Sequence, residues 1–262
     1  MQDFLRIDEN LRTAMRFFGQ ATGSGEVSPL AGVVAIYSGI DYGVFNIAML
    51  DGPIAPHSND FDSRLREAAH YFKGRTTRWS FWLCEDLLEP SDRRRARLSL
   101  GDFGFQAISH PPGMATSNLL PPVVDLPKLD VYPVSNKTLQ NAFAEITALS
   151  FDIPYDVARA VYAQDSAWRG AYQGYVGFIN GRPVSIVAIV VAAEAIGVYS
   201  LATDPSHRRR GCAEAVMRAA VSDTQRRTGL ERIVLQSTDV GYPLYRRMGF
   251  RDVTRFSLYL TK

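Results

Sequence analysis

The sequence predicts an α/β (α+β) protein with a mixed central sheet flanked by helices. Short runs rich in Val and Ile alternate with amphipathic stretches at helical spacing. Asn180-Gly181, a strong hairpin signal, joins two of these runs. With 262 residues, of which 46% are hydrophobic and 21% charged, the chain can bury the core that such a fold needs.

A proline-rich stretch divides the chain. Residues 119–127 read LLPPVVDLP, with three prolines in nine positions. Proline lacks a backbone donor and disfavours helix in the residue before it. We therefore predict two domains, residues 1–120 and residues 128–262, joined by this segment, which we call the seam.

Downstream of the seam the pattern predicts a strand, two helices, three strands, a helix, a strand, a short helix and a last strand. Gly229 and Gly249 are predicted to end the two later helices. The predicted ranges are 129–133, a helix from 136–138 onward, 155–162, 174–179, 184–192, 196–202, 211–228, 232–236, 243–249 and 253–260.

Upstream of the seam, the end of this order is repeated. We predict strands over 44–50 and 79–84, helices over 61–72 and 91–100, and an extended segment to 114. Residues 98–109 and 243–254 each end a short helix with Gly-Phe and enter a strand, so we predict a divergent internal duplication; a coincidence of helix-stop patterns is the alternative. We expect the aromatic residues of this half in the core, namely Trp79, Phe81, Trp82, Phe103 and Phe105.

Charge and composition exclude several function classes. Lys plus Arg number 29 against 27 Asp plus Glu, which is too balanced for the positive field that nucleic-acid binding usually needs. The amino terminus has no apolar signal region, so we expect a cytoplasmic protein. The apolar run 184–201 contains Glu194 and Gly197 and reads as two strands rather than a membrane span. Two cysteines and four scattered histidines predict no metal site.

The segment 204–213, DPSHRRRGCA, lies between a predicted strand and a predicted helix. A helix amino terminus offers unpaired N–H groups and partial positive charge to an anion. Gly211 and Ala213 add no bulk there, and three arginines add charge. A merely solvated basic loop is the alternative, but the agreement of these local cues favours an anion site of pyrophosphate size. Its candidate residues are Arg208, Arg209, Arg210, Gly211, Cys212 and Ala213.

This segment resembles motif A of the GNAT superfamily of acyl-coenzyme A N-acyltransferases, Gln/Arg-x-x-Gly-x-Gly/Ala, through Arg208, Gly211 and Ala213. Residues 244–250, LYRRMGF, are similar to that family's motif B, Leu-Tyr-x-x-x-Gly-Phe. Both motifs stand in family order, and the resemblance covers about half of the chain. It implies a GNAT fold after the seam and, if the duplication holds, a tandem arrangement with a degenerate amino-terminal copy.

The resemblance also implies site residues for the donor acetyl-coenzyme A, with no metal. An N–H near Leu201 would polarise the thioester carbonyl, and Tyr245 would protonate the departing thiolate. Thr238 stands where many members have an asparagine, and Ser237 is its neighbour. The predicted coenzyme contacts are Leu201, Ala202, Thr203, the residues 208–213 named above, Ser237 and Thr238.

The sequence departs from the family at the general base. Gly197 stands where many members have a carboxylate, with Tyr199 on the same face of the strand. Glu194, at the start of the strand, is a candidate that would act through water, and a rim carboxylate that is only solvated is the alternative. The missing carboxylate leaves open a non-catalytic acyl-coenzyme A binder with a regulatory role.

The predicted function is the transfer of an acetyl group from acetyl-coenzyme A to a primary amine of a small molecule or peptide by direct attack. An aminoacyl-tRNA-dependent transferase is a further alternative, which the phosphate loop and the charge balance disfavour. We expect one coenzyme site per chain, since the amino-terminal half lacks the arginine cluster, and a homodimer is compatible with the sequence.

Overall fold

The computed structural model describes residues 2–262 and has the predicted mixed α/β architecture. Upstream of the seam the elements are α1 (Asp3–Ala21), β1 (Glu26–Leu30), β2 (Val33–Tyr37), β3 (Ile47–Leu50), α2 (Asp60–Phe72), β4 (Ser80–Cys84), α3 (Pro90–Asp102), β5 (Phe105–Ser109) and β6 (Pro112–Thr116). Downstream they are β7 (Asp130–Pro133), α4 (Lys137–Phe151), α5 (Tyr155–Tyr162), β8 (Tyr172–Ile179), β9 (Arg182–Ala192), β10 (Ala195–Thr203), α6 (Cys212–Thr228), β11 (Ile233–Gln236), α7 (Tyr242–Arg247) and β12 (Arg251–Thr261).

The order of elements after the seam is as predicted. Asn180 and Gly181 both have positive φ, 50° and 75°, as a tight hairpin turn between β8 and β9 requires. Gly104 and Gly249 also have positive φ, and each ends a helix just before a strand. The local similarity that predicted a duplication is therefore present in the backbone.

Two strands are exchanged between the halves. The described residues form one 12-stranded sheet in the order β1-β2-β3-β4-β12-β6-β11-β10-β9-β8-β7, with β5 on β12. Strand β6, from before the seam, lies between β11 and β12 and is antiparallel to both. Strand β12 continues past β6 to pair with β4 and β5 of the amino-terminal half. The division at the seam stays a prediction about domains, but each half contributes a strand to the other's sheet.

Helix α1 also connects the halves, and the sequence analysis did not predict it. It is amphipathic, with Ile7, Leu11 and Phe17 fully or almost fully buried. It contacts β2 of one half and β9 and β10 of the other. The buried polar residue Asn10 lies on the same helix and contacts β10, the strand that precedes motif A.

The sheet buries a separate apolar cluster on each face. One cluster runs through both halves under α1 and α4, with Leu11, Phe17 and Phe143 among its members. The other is confined to the α6 and α7 side and includes Val216 and Met248. Of the aromatic residues expected in the core, Trp79, Phe81 and Phe105 are buried and Trp82 is partly buried. The prediction was wrong for Phe103, which ends α3 with 37% of its surface exposed.

Candidate functional site

Strands β10 and β11 part soon after they meet. They pair in parallel at Ile196–Ile233 and Gly197–Val234, although β10 continues to Thr203. On its other edge β11 is paired along its whole length with β6. The parting therefore leaves an opening along one edge of β10 from residue 198 onward.

A β-bulge sets which backbone groups line this opening. The register of β10 against β9 shifts between Tyr199 and Ala202, and Ser200 has φ of 46°. After the bulge, the N–H of Asp204 donates to the carbonyl of Val184 on β9. Because N–H groups alternate in direction along a strand, those of Leu201 and Thr203 point to the opening. The backbone groups expected to hold the coenzyme arm are thus unpaired within the sheet.

The loop after β10 leads into α6 through a tight turn. The Asp204 carboxylate accepts from the hydroxyl of Ser206 and from its backbone N–H, the latter at 2.8 Å. The bond from the hydroxyl is the main cause that lowers the pKa of Asp204. Arg208 donates through Nε to the Thr203 carbonyl at 3.2 Å. Arg209 and Arg210 are exposed and make no salt bridge within residues 2–262. Two guanidinium groups and the first turn of α6 are therefore available to an anion.

Gly211 has a second reason to be glycine. Its φ is 81°, and a Cβ there would lie 3.0 Å from Leu126 Cδ2 and 3.1 Å from Pro127 Cδ. The seam packs against the start of α6 at this point. The backbone and the seam therefore require glycine independently of any anion, which the sequence did not reveal. Cys212 is 1% exposed, so only its backbone can meet a ligand.

Helix α7 places Tyr245 in the apolar cluster that Leu201 packs against. The phenol is 8% exposed, and its ring meets the Phe250 ring edge-on at 5.7 Å. Burial raises the pKa of Tyr245 well above its ordinary value, so the hydroxyl keeps its proton at neutral pH. A protonated phenol can donate a proton or a hydrogen bond, and it cannot act as a base.

The two hydroxyl residues after β11 differ in access. Ser237 is fully buried, and its Oγ donates to the Thr238 carbonyl at 2.8 Å. Thr238 is exposed, and its Oγ1 accepts from the N–H of Gly241 at 3.2 Å. Of the two candidates, Thr238 presents its hydroxyl to the surface.

Helix α1 fills the position where the family carboxylate would stand. A Cβ on Gly197 would lie 1.9 Å from Asn10 Oδ1. Asn10 donates to the Ala192 carbonyl at 2.8 Å and accepts from the Tyr199 hydroxyl at 2.6 Å. Sequence reasoning missed Asn10 because nothing local distinguishes it, and these two partners are 182 and 189 positions away in the chain.

Glu194 does not fit the role of a base. Its side chain is 75% exposed and pairs with Arg6 at 3.0 Å, in the turn between β9 and β10. It lies seven residues before Leu201, which is roughly 20 Å along an extended strand. The interpretation of Glu194 as a base that acts through water stays a prediction, which its exposure and its ion pair do not support.

The chain is similar in sequence and fold to several known proteins. Residues 164–252 match the model of the acetyltransferase (GNAT) domain, while no curated protein matched the sequence. Among solved structures, a GCN5-related N-acetyltransferase from Kribbella flavida is 18% identical, with 98% of this chain and 95% of that chain covered and a TM-score of 0.70. A putative GNAT acetyltransferase from Novosphingobium aromaticivorans is 17% identical, covers 97% of both chains and has a TM-score of 0.58.

A tandem GNAT protein from the clavulanic acid biosynthesis pathway is also similar. It is 12% identical, with 87% of this chain and 78% of that chain covered and a TM-score of 0.53. Because these matches extend across the seam, they confirm the GNAT fold predicted for the carboxyl-terminal half and show that the amino-terminal half is similar to it.

No helix within residues 2–262 combines the length and the apolar character needed to cross a membrane. The same residues contain no group of three or more His, Cys, Asp or Glu side chains arranged to hold a metal ion.

Proposed function

We propose that this chain, an acyltransferase that carries a GNAT domain, moves the acetyl group of acetyl-coenzyme A to a primary amine of a small molecule or peptide. The observation that carries the proposal is the opening between β10 and β11, which ends at the amino terminus of α6. A strand edge with free N–H groups beside a cationic helix start fits a ligand with an amide-bearing arm and a pyrophosphate.

Different residues would contact different parts of acetyl-coenzyme A. The N–H groups of Leu201 and Thr203 would pair with the amides of the arm, and Ala202 lies between them in the strand. Exposed Arg209 and Arg210, with the first N–H groups of α6 at Cys212 and Ala213, would neutralise the pyrophosphate. Thr238 offers a hydroxyl at the opposite rim.

The transfer step needs two kinds of help. The amine nitrogen forms a bond to the carbonyl carbon while the carbon–sulfur bond breaks, and the thiolate leaves. The Leu201 N–H would stabilise the developing negative oxygen, and Tyr245 would give its proton to sulfur. The amine nitrogen loses one proton to solvent, and Tyr245 regains a proton from solvent.

Calorimetry and a thiol-release assay with a panel of amines test the proposal directly. Acetyl-coenzyme A should bind, and free thiol should appear only when a suitable amine is present. Failure to bind the coenzyme would overturn the assignment.

One observation favours a second candidate, a non-catalytic acyl-coenzyme A binder, because Asn10 occupies the place of the family carboxylate. Coenzyme binding without thiol release for any amine would support this candidate. A cytoplasmic location and a homodimer stay predictions.

A further inference from the structure

Ser200 occupies an unusual place beside the opening. It is a non-glycine residue with φ of 46°, a conformation that is costly for such residues and often found at functional sites. It precedes Leu201, the proposed donor to the thioester oxygen. Unlike its buried neighbour Tyr199, Ser200 is partly exposed.

A rigid aromatic cluster fixes the Ser200 hydroxyl. Its Oγ lies 2.6 Å from the hydroxyl of Tyr172, and the ring of Tyr162 belongs to the same aromatic cluster. Both tyrosine rings pack on Phe17 of α1, with centroids at 4.2 Å for Tyr172 and 5.3 Å for Tyr162. Phe17 of the amino-terminal half thus supports Tyr172, whose hydroxyl holds that of Ser200 on β10.

The phenols that face Ser200 cannot take a proton near neutral pH. Burial raises the pKa of Tyr162, of Tyr172 and of Tyr199. A phenol that stays protonated can orient Ser200 by a hydrogen bond, but it cannot act as a base. The groups on the other packed elements therefore decide whether a base exists.

The carboxylates of Asp204 and Asp8, on these other elements, already have hydrogen-bond partners. Contact with Ser206 lowers the pKa of Asp204, which makes it a weak base. Asp8 of α1 is buried, and Arg12 bonds both Asp8 and the Leu50 carbonyl in the amino-terminal half. Burial raises the pKa of Asp8 to about 7, but within residues 2–262 its hydrogen bond is to Arg12 and none joins it to Ser200 or Tyr172.

We propose that Ser200, oriented by Tyr172, accepts a hydrogen bond from an acceptor amine that arrives already neutral, and that the chain therefore selects amines of low pKa. Peptide and amino-amide α-amino groups have a pKa of about 8, whereas lysine side chains have about 10.4. The inference rests on the proposed acetyl transfer and specifies its acceptor class as α-amino groups.

The hydrogen bond directs the reaction without taking a proton. One N–H of the neutral amine is held by Ser200 Oγ, which leaves the lone pair free to face the carbonyl carbon beside Leu201. After attack, the nitrogen loses its second proton to solvent. Ser200 thus positions the nucleophile and is unchanged by the reaction.

The first test compares two probes, alanyl-alaninamide and Nα-acetyl-lysinamide, over a range of pH. We expect kcat/KM at pH 7 to favour the dipeptide amide by on the order of 100-fold, since far more of its amine is neutral. Each profile should rise to the pKa of its own amine. A bend below about pH 7.5 shared by both probes would reveal an enzyme base and overturn the proposal.

The second test replaces Ser200 with glycine, which removes the hydroxyl and suits the positive φ. We expect kcat/KM for the amine to fall about 10-fold, the effect of one hydrogen bond, with unchanged affinity for acetyl-coenzyme A. Tyr172→Phe should give a smaller loss. Asn180→Gly, at another position of positive φ, is the matched control and should have no effect.

The outcomes separate this inference from the proposed function. If acetyl-coenzyme A does not bind to the natural protein, the proposed function fails. If it binds and Ser200→Gly keeps full kcat/KM, the role of Ser200 is wrong while the function stands. Should neither probe fit the acceptor site, hydroxylamine serves as a small acceptor in the same comparison, and an unchanged rate again overturns the role.

Discussion

Each half contains a parallel strand pair joined by a helix, β3–α2–β4 in the amino-terminal half and β10–α6–β11 in the carboxyl-terminal half. Only the second pair of strands parts. Strand β3 stays paired with β4 at Ile47–Ser80, Ala48–Phe81 and Met49–Trp82, which uses three of its four residues. Strand β10 pairs with β11 at two of its nine residues. The fold alone therefore does not create a coenzyme site, because the strands must also part.

The helix starts differ as well. In the amino-terminal half, Arg64 is engaged by Asp51 at 3.1 Å and by Asp60 at 2.8 Å. Those carboxylates would repel a phosphate, and the arginine is already neutralised. At α6 the exposed arginines have no such partners among the described residues. Uncommitted cations and an open strand edge together distinguish the candidate site from its counterpart.

The largest expected effect comes from removing the amino-terminal half. Deleting residues 1–118 takes away β6, which pairs β11 with β12, and α1, which fills the space at Gly197. We expect residues 119–262 to aggregate because both an apolar face and a strand edge become exposed. Size-exclusion chromatography and thermal unfolding check this. A soluble fragment with a cooperative transition would show that the halves are independent.

The second prediction tests the difference in phosphate binding. Calorimetry with acetyl-coenzyme A should give a stoichiometry near one per chain, and Gly211→Glu should weaken binding at least about 100-fold, or about 2.7 kcal/mol, through charge, bulk and backbone strain. Gly52→Glu, at the corresponding loop after β3, is the matched control. A Cβ on Gly52 meets nothing within 4 Å, so the affinity of Gly52→Glu for acetyl-coenzyme A should be unchanged. A stoichiometry near two would mean that the amino-terminal half also binds.

A third, smaller effect concerns the proton donor, for which the amino-terminal half has no assigned equivalent. Tyr245→Phe should lower kcat roughly 100-fold, as expected for a lost general acid, with coenzyme affinity retained. Tyr242→Phe is the control on the same helix, since its hydroxyl bonds Asp252 at 3.1 Å. Full turnover by Tyr245→Phe, with chemistry rate-limiting, would rule out the role.

The smallest expected effect is on the pH dependence of stability, through Asp8 of α1. Burial raises the pKa of Asp8 from 3.8 to about 7, although Arg12 opposes this. The raised pKa means that the neutral form is favoured in the folded state, so this contribution is complete below about pH 4 and is lost as pH rises through 7. The loss is on the order of a few kcal/mol, at about 1.4 kcal/mol per pKa unit.

Urea unfolding at pH 4.5, 6 and 7.5 measures the effect. Asp8→Asn should flatten the fall in unfolding free energy over this range. Asp102→Asn, at the exposed end of α3, should leave the slope of the natural protein intact. An unaltered slope in Asp8→Asn would assign the pH dependence elsewhere.

Much of the carboxyl-terminal fold was predictable because its signals are local. The Asn180-Gly181 turn and the Gly229 helix stop determine boundaries through residues next to one another. The exchange of β6 and β12 could not be predicted, since a strand's own pattern does not specify its neighbours. Helix α1 was missed for a related reason: its start has no side-chain cap, and two of its buried positions are the polar Asp8 and Asn10.

The residues of the candidate site fall into the same two groups, those with local signals and those without. Arg208, Gly211 and Tyr245 could be proposed from the sequence because the motifs place them at fixed spacing on a loop and a helix. The roles of Asn10 at Gly197 and of the aromatic cluster behind Ser200 depend on contacts between distant segments. Such contacts leave no periodic or compositional trace, so only the structure brings them together.

The exchange of strands also has a kinetic consequence. Arg251 at the start of β12 pairs with Ala115 of β6, so the centre of the sheet closes only when two distant segments meet, which is slow. Until then β4 and β6 present open edges that the β12 of another molecule fits equally well. Refolding at high protein concentration should therefore trap dimers intertwined through β12, whereas dilution before refolding should suppress them.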